Sequence, residues 1–297
     1  MKRREFFLAT AALGAAPLWA QPGSGQAQAQ AAFAQAMQAI ERQAGGRLGV
    51  AVLDTASGAA WQWRGDERFP MCSTFKALLA AQALHAAEQG RGSMDKRLRY
   101  PRSALVAHSP ATEPHAGKDG MTVRALCEAT VTLSDNTAAN LLLAEYGGPA
   151  GFTRFLRGLG DRQTRLDRIE PDMSESRPGD VRDTTTPQAM LASLRAVTLG
   201  DALSPASRRQ VVDWLLACKT GDNTLRAGAP GWMVGDKTGS GPGTRNDVGL
   251  LWRSGGGTAS APVLVTSYLT ETKAQPEARD AALASVAREV VKLVTGT

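Results

Sequence analysis

The sequence predicts an α+β fold: one antiparallel sheet flanked by N- and C-terminal helices, with an all-helical lobe inserted between its strands and a functional cleft where the lobes meet. Two observations carry this expectation. Strand-like runs fall only near the two ends of the 297-residue chain, and between Ser73 and about Trp214 the apolar residues recur every three or four positions. A composition of 43% hydrophobic and 21% charged residues is that of a soluble protein with a sizeable core.

Taken in order, Lys2-Arg3-Arg4 precedes an apolar run over residues 6–20 that is too short to span a membrane and ends in small residues. This reads as an export signal, and Arg3-Arg4-Glu5-Phe6-Phe7-Leu8 resembles the twin-arginine type. Residues 1–29 are assigned to signal and linker, with cleavage after Ala20 or after Ala27-Gln28-Ala29 and a Gln/Ala-rich stretch over 21–32. The mature protein is expected in the periplasm or outside the cell, as a monomer without a membrane anchor. Helical spacing over 31–43 stops at Gly45-Gly46, and strands are predicted over 48–54 and 60–63 around a turn at 55–58. Helices are predicted over 73–89, 123–126, 137–146 and 187–196, strands over 232–238, 247–252 and 263–269, and a long amphipathic helix over 276–294. One lobe therefore comprises 30–64 with 218–297, and the other 65–217.

Several function classes find no support. Loss of Lys2, Arg3, Arg4 and Glu5 lowers the formal charge from +6 to +4, and no basic stripe with interleaved aromatics suggests nucleic-acid binding. Cys72, Cys127 and Cys218 are odd in number and widely spaced, which makes neither a disulfide framework nor a zinc site. The histidines His85, His108 and His115 form no H-E-x-x-H, so no metal is expected, and no cofactor. No serine sits in G-x-S-x-G.

Ser73-Thr74-Phe75-Lys76 opens a helix, and a three-residue spacing puts hydroxyl and amine on one face within hydrogen-bond reach. A serine hydroxyl is a weak nucleophile until a base accepts its proton, and a helix N-terminus favours developing negative charge. A second copy, Ser93-Met94-Asp95-Lys96, is polar all round, whereas Ser73 is followed by an apolar run over 77–81 that would fix its geometry. Ser134-Asp135-Asn136 begins a helical segment, where each residue type is a good N-cap. Lys237-Thr238-Gly239-Ser240-Gly241 ends a strand; its decoy, Lys219-Thr220-Gly221, is explained by a turn.

In this order the three motifs are the set found in class A β-lactamases and penicillin-binding proteins. From about Phe33 onward the chain resembles class A serine β-lactamases, with further matches at Arg165-Leu166-Asp167-Arg168-Ile169-Glu170-Pro171 and Arg182-Asp183-Thr184-Thr185-Thr186-Pro187. The resemblance implies that Ser73 attacks a lactam carbonyl and that the backbone N–H groups of Ser73 and Ser240 form the oxyanion hole. The proton acceptor is either Lys76 or Glu170 through a water. Ser134, in contact with Lys237, passes a proton to the leaving nitrogen. Lys237, Thr238 and Arg245 hold the substrate carboxylate, together with the Gly239 and Ser240 stretch, Asn136 holds the acyl side-chain amide, and His108 walls the cleft. Glu170 activates the deacylating water from an Ω-loop over 168–183, whose neck is closed by an Arg168–Asp183 ion pair and which carries a cis Glu170–Pro171 peptide.

The chain departs from the family at four places. Ser174 stands where an asparagine usually helps Glu170 hold water, Gly241 and Ala80 remove the usual partners of Cys72 and Cys127, and the stretch around Pro242-Gly243 is one residue short before Arg245. Two rival readings share the motifs: a penicillin-binding DD-peptidase or transpeptidase, and a β-lactam-sensing receptor domain. Glu170-Pro171 argues for the hydrolase, because an acyl-enzyme ester persists unless a base activates water beside it.

Overall fold

A computed structural model describes residues 24–296 of the chain. The segment before residue 24, where an export signal is expected, lies outside the described residues. In chain order the elements are α1 (Ser24–Ala44), β1 (Arg47–Asp54), β2 (Ala60–Trp63), β3 (Phe69–Pro70), α2 (Phe75–Glu88), β4 (Arg97–Leu98), β5 (Met121–Thr122), α3 (Val123–Thr132), α4 (Asn136–Glu145) and α5 (Gly148–Gly158). They continue with β6 (Thr184–Thr185), α6 (Pro187–Thr198), α7 (Pro205–Leu216), α8 (Leu225–Gly228), β7 (Met233–Gly241), β8 (Thr244–Trp252), β9 (Val263–Thr270) and α9 (Pro276–Thr295).

Five strands form one antiparallel sheet in the order β2-β1-β9-β8-β7, so the first strand of the chain pairs with the last. Central β9 is buried along its whole length and therefore reads as a nearly continuous apolar run. Its alternation still sorts the faces: Val263, Val265 and Leu269 pack with Phe33, Met37 and Ile40 of α1 and with Leu283, Val286 and Val290 of α9. Leu264 and Tyr268 point the other way, into the large core shared with α2, α3, α4 and α6.

The helices begin where the sequence supplies caps. Thr122, Asp135, Thr186 and Ser204 each accept a hydrogen bond from the backbone N–H three residues on, with Pro187 and Pro205 in the first turns that follow. Two findings depart from expectation. The Gln/Ala stretch expected as a linker is helical from Ser24, because α1 continues over the sheet edge and Gln26 Nε2 donates to Ala60 O at 3.1 Å and Gln30 Nε2 to Gln62 O at 2.8 Å. Two short ribbons, β3 with β6 and β4 with β5, lie within the helical segment. Among the described residues no helix is long and apolar enough to cross a membrane.

Candidate active site

Edge strand β7 runs past a 3-10 turn, Cys72–Thr74, that feeds α2 and carries Ser73. The turn is held from the sheet: Asn246 Nδ2 on β8 donates to Pro70 O at 2.9 Å and to Met71 O at 3.1 Å, while Thr74 Oγ1 donates to Met71 O at 2.8 Å. Cys72 sits at φ +44, a conformation a side chain disfavours, so the surroundings impose it. The glycine of the Lys237-Thr238-Gly239 motif has a steric reason. A Cβ at residue 239 would lie 2.8 Å from Met71 O and 3.2 Å from both Cys72 Cβ and Ser73 N, so only glycine lets β7 approach the backbone of Ser73.

The expected Ser73–Lys76 hydrogen bond is not formed among the described residues. Ser73 Oγ donates to Glu170 Oε1 at 3.2 Å instead, because the three ammonium hydrogens of Lys76 go elsewhere. Lys76 Nζ donates to Ser134 O at 2.9 Å and Asn136 Oδ1 at 2.5 Å, and forms an ion pair with Glu170 Oε1 at 2.9 Å. Both charged side chains are sealed from solvent, at 0% and 2% exposure. Burial lowers the Lys76 pKa, and the Glu170 carboxylate opposes that shift.

The Ser134-Asp135-Asn136 triplet divides its labour. Asp135 is the cap, accepting from Ala138 N at 2.8 Å and also from Ala111 N, Thr112 N and Thr112 Oγ1 at 2.9 Å each, which ties the loop bearing His108 to α4. Ser134, at φ +60, turns its hydroxyl to Lys237 Nζ, which donates to it at 3.1 Å. Asn136 donates from Nδ2 to Ala107 O and from its backbone to His108 O, both at 2.9 Å. His108 Nε2 meets Leu133 O at 2.9 Å; a carbonyl only accepts, so Nε2 carries the hydrogen.

The loop over 168–183 closes as expected. Asp183 accepts from Arg168 Nε at 2.6 Å and from the backbone of Asp167 and Arg168 at 2.7 and 2.9 Å, and the Glu170–Pro171 peptide is cis. Ser174 Oγ lies 3.3 Å from Glu170 Oε2 and 3.2 Å from Met173 Sδ, and its single hydrogen serves one at a time. Asn140, which lies in a stretch that matches the family but to which the sequence reading gave no role, holds Glu170 at both backbone groups: Nδ2 donates to Glu170 O and Oδ1 accepts from Glu170 N, each at 2.9 Å. Its four-residue spacing from Asn136 on α4 was the available signal.

Lys237 is buried, which pulls its pKa down to about 8. Arg245 pairs with Ser240 across the β7–β8 ladder, and its Nη1 donates to Ser240 Oγ at 2.8 Å while Asp280 anchors Nε at 2.5 Å. The decoys resolve differently. Ser93 lies in a loop and Lys96 pairs with Glu145 at 2.6 Å. Lys219-Thr220-Gly221 is a turn but not a bland one: Thr220 Oγ1 is 2.5 Å from Thr238 Oγ1, and Arg245 Nη2 donates to Thr220 O at 3.2 Å. No local pattern announced this, since Thr220 reaches the site only through the fold. Cys72, Cys127 and Cys218 are all unpaired and buried; burial pushes the Cys72 thiol up to about 12 and raises the other two.

Comparison with known proteins agrees with this geometry. A family model described as the β-lactamase enzyme family matches residues 32–294. The chain is 50% identical over 258 residues to β-lactamase L2 of Stenotrophomonas maltophilia, covering 86% of this chain and 84% of the relative. It is 48% identical to β-lactamase FAR-1 of Nocardia farcinica, over 85% and 80% of the two chains. Among solved structures, an ancestral class A β-lactamase superposes with a TM-score of 0.85 at 59% identity, over 88% of this chain and 99% of that one. A class A β-lactamase from Rhodopseudomonas palustris, described as putative, gives 0.84 at 54% identity, over 88% and 98%. With a buried lysine, a loop glutamate and a turn serine joined at one carboxylate oxygen, and with 50% identity to a β-lactamase over 86% of the chain, the protein belongs to the class A β-lactamases, the hydrolases of β-lactam rings.

Proposed function

We propose that Ser73 Oγ is the nucleophile of this β-lactam hydrolase and that Glu170 is its base in both half-reactions. The carrying observation is the convergence on Glu170 Oε1, which accepts Ser73 Oγ at 3.2 Å while the ammonium of Lys76 has all three hydrogens engaged. A fully engaged ammonium has no lone pair for a proton, so the hydroxyl proton goes to Glu170. Oγ then bonds to the lactam carbonyl carbon, and the oxyanion meets the N–H groups of Ser73 and Ser240, each worth about 3 to 4 kcal/mol by analogy with other oxyanion holes. As the C–N bond breaks, Ser134 Oγ delivers its proton to the nitrogen, with Lys237 Nζ polarising that hydroxyl, and the proton that Glu170 took from Ser73 passes on to Ser134, which leaves Ser134 a hydroxyl and Glu170 a carboxylate. Lys237, Thr238 and Arg245 bind the substrate carboxylate and Asn136 the side-chain amide, beside His108. In deacylation Glu170, ionised again, takes a proton from water as its oxygen adds to the ester carbon, and gives that proton to Ser73 Oγ as the ester C–O bond breaks. Ser174 Oγ, 3.3 Å from Glu170 Oε2, orients that carboxylate.

Glu170→Ala should accumulate acylated Ser73, seen as a lasting mass increase of one penicillin per protein, while the wild type returns to its free mass. Unchanged steady-state turnover in that variant would remove Glu170 from the mechanism. Ser73→Ala should take up no label.

Hydrolysis of β-lactams confers resistance to them where the drug acts, and we infer that residues 1–20 export the enzyme there as a monomer, through a twin-arginine signal. Cleavage after Ala20 fits better than cleavage after Ala29, since Gln26 and the α1 turn around it pack on β2. N-terminal sequencing of the exported form should begin at Gln21.

A further inference from the structure

Behind the Lys237 ammonium lies a pair of carboxyl groups that the chemistry above does not use. In the β7–β8 ladder Asp236 opposes Gly249 and Asp247 opposes Thr238, which sets the two aspartates diagonally on one face, and both are fully buried. Their oxygens divide evenly. Asp236 Oδ1 accepts from Arg226 Nη2 at 2.7 Å, and Asp247 Oδ2 accepts from Thr224 Oγ1 at 2.5 Å and Leu225 N at 3.1 Å. The remaining oxygen of each, Asp236 Oδ2 and Asp247 Oδ1, is sealed from solvent with no donor among the described residues. Gly221 packs so closely on Asp236 Oδ2 that no side chain could approach from that side.

Two facing carboxylates are both acceptors and cannot satisfy each other, whereas a single hydrogen between them satisfies both orphaned oxygens and removes the like-charge repulsion. We propose that Asp236 and Asp247 hold one proton between Oδ2 and Oδ1, and that the resulting single negative charge is a positioning device that keeps Lys237 an ammonium for the substrate carboxylate. Direction of titration agrees: burial and then mutual repulsion raise Asp236, and burial raises Asp247 against its Thr224 and Leu225 donors and the charge of Arg245. The charged or titratable groups that act on Lys237 are Cys218, Lys76, Asp236 and Asp247, the two aspartates through the sheet from its opposite face. Lys76 opposes its charge, and Cys218 is a thiol that burial keeps neutral. Counter-charge for Lys237 therefore falls to the aspartate pair.

The inference rests on the role of Lys237 given above, so its test has one arm without turnover. In infrared difference spectra of the wild-type enzyme, a buried protonated carboxyl should appear at neutral pH and vanish in both Asp236→Asn and Asp247→Asn. Its absence from the wild type, or its persistence in both variants, overturns the shared proton. In the second arm each single variant keeps one negative charge, and its amide supplies the missing hydrogen, so the alkaline limb of kcat/KM for a chromogenic cephalosporin should stay at the wild-type pH. The double variant loses the charge, and its limb should move to lower pH by roughly one unit. A single variant whose limb moves to lower pH means that both carboxyls were ionised, and a double variant whose limb stays put overturns the positioning role. If the infrared band behaves as expected but Lys237→Arg leaves the wild-type limb unmoved, the role of Lys237 fails and the shared proton stands.

Discussion

Lys237 is an ammonium held where water does not reach, and its consequence is a pH dependence of definite sign. Burial brings its pKa down to about 8, and in the proposed role only the cation attracts the substrate carboxylate. As pH rises through about 8 the group loses its charge, so kcat/KM should fall, chiefly through KM, because carboxylate binding is shared by ground and transition states. Lys237→Arg keeps a charge throughout this range and should move the limb to higher pH, which pH profiles of the two proteins would show. At this scale the sequence was informative wherever chemistry is written locally. Ser73 and Lys76, Ser134 and Asn136, and Lys237 with its two followers are short motifs. Their bonding was not legible, because the Ser73–Glu170 hydrogen bond spans 97 positions and the Lys237–Ser134 bond 103. The expectation that Ser73 would bond Lys76 failed for that reason: local spacing allowed the contact, and distant acceptors claimed the ammonium.

The loop carrying Glu170 has two fastenings of different kinds. Its neck is closed by charge, Arg168 on Asp183, while the catalytic end is held by the neutral amide of Asn140 on α4. Removing that amide leaves the N–H and C=O of Glu170 without partners, at a cost of about 1 to 3 kcal/mol each if they stay dry. Asn140→Ala should therefore lower the melting temperature and slow deacylation more than acylation, since in the proposed mechanism Glu170 holds a water once Ser73 is acylated. Burst kinetics with a chromogenic cephalosporin would separate the steps, and an equal loss in both would assign Asn140 to stability alone. Most elements were readable because apolar periodicity and caps coincide, as in α6, which starts at Thr186-Pro187. Helix α5 was less so: Phe152 and Leu156 bury one stripe, but Gly148, Pro149 and Gly151 in its first turn are breakers in any local reading. The paired strands β3 and β6 are two residues long and exist only because the fold brings them together.

The whole molecule is a device for laying an edge strand against a turn. The strand order β2-β1-β9-β8-β7 joins both chain ends, and strands at both termini around a helical middle made that topology legible. What the pattern could not give was the closeness of the junction, set by two cores packing at once on opposite faces of the sheet. Gly239 measures it. A methyl group there would meet Met71 O at 2.8 Å and Ser73 N at 3.2 Å, while Asn246 pins the same backbone from β8, so neither side gives way cheaply. The least costly response is a shift of β7 away from the turn, which carries Ser240 N off the position proposed for the oxyanion. Loss of one such donor typically costs about 10² to 10³ in rate. Gly239→Ala should accordingly fold, as judged by circular dichroism, and lose acylation by about that factor in a stopped-flow measurement with a chromogenic cephalosporin. Wild-type acylation in a folded Gly239→Ala enzyme would show that the two lobes meet with slack, and that the oxyanion hole does not depend on the separation of β7 from Ser73.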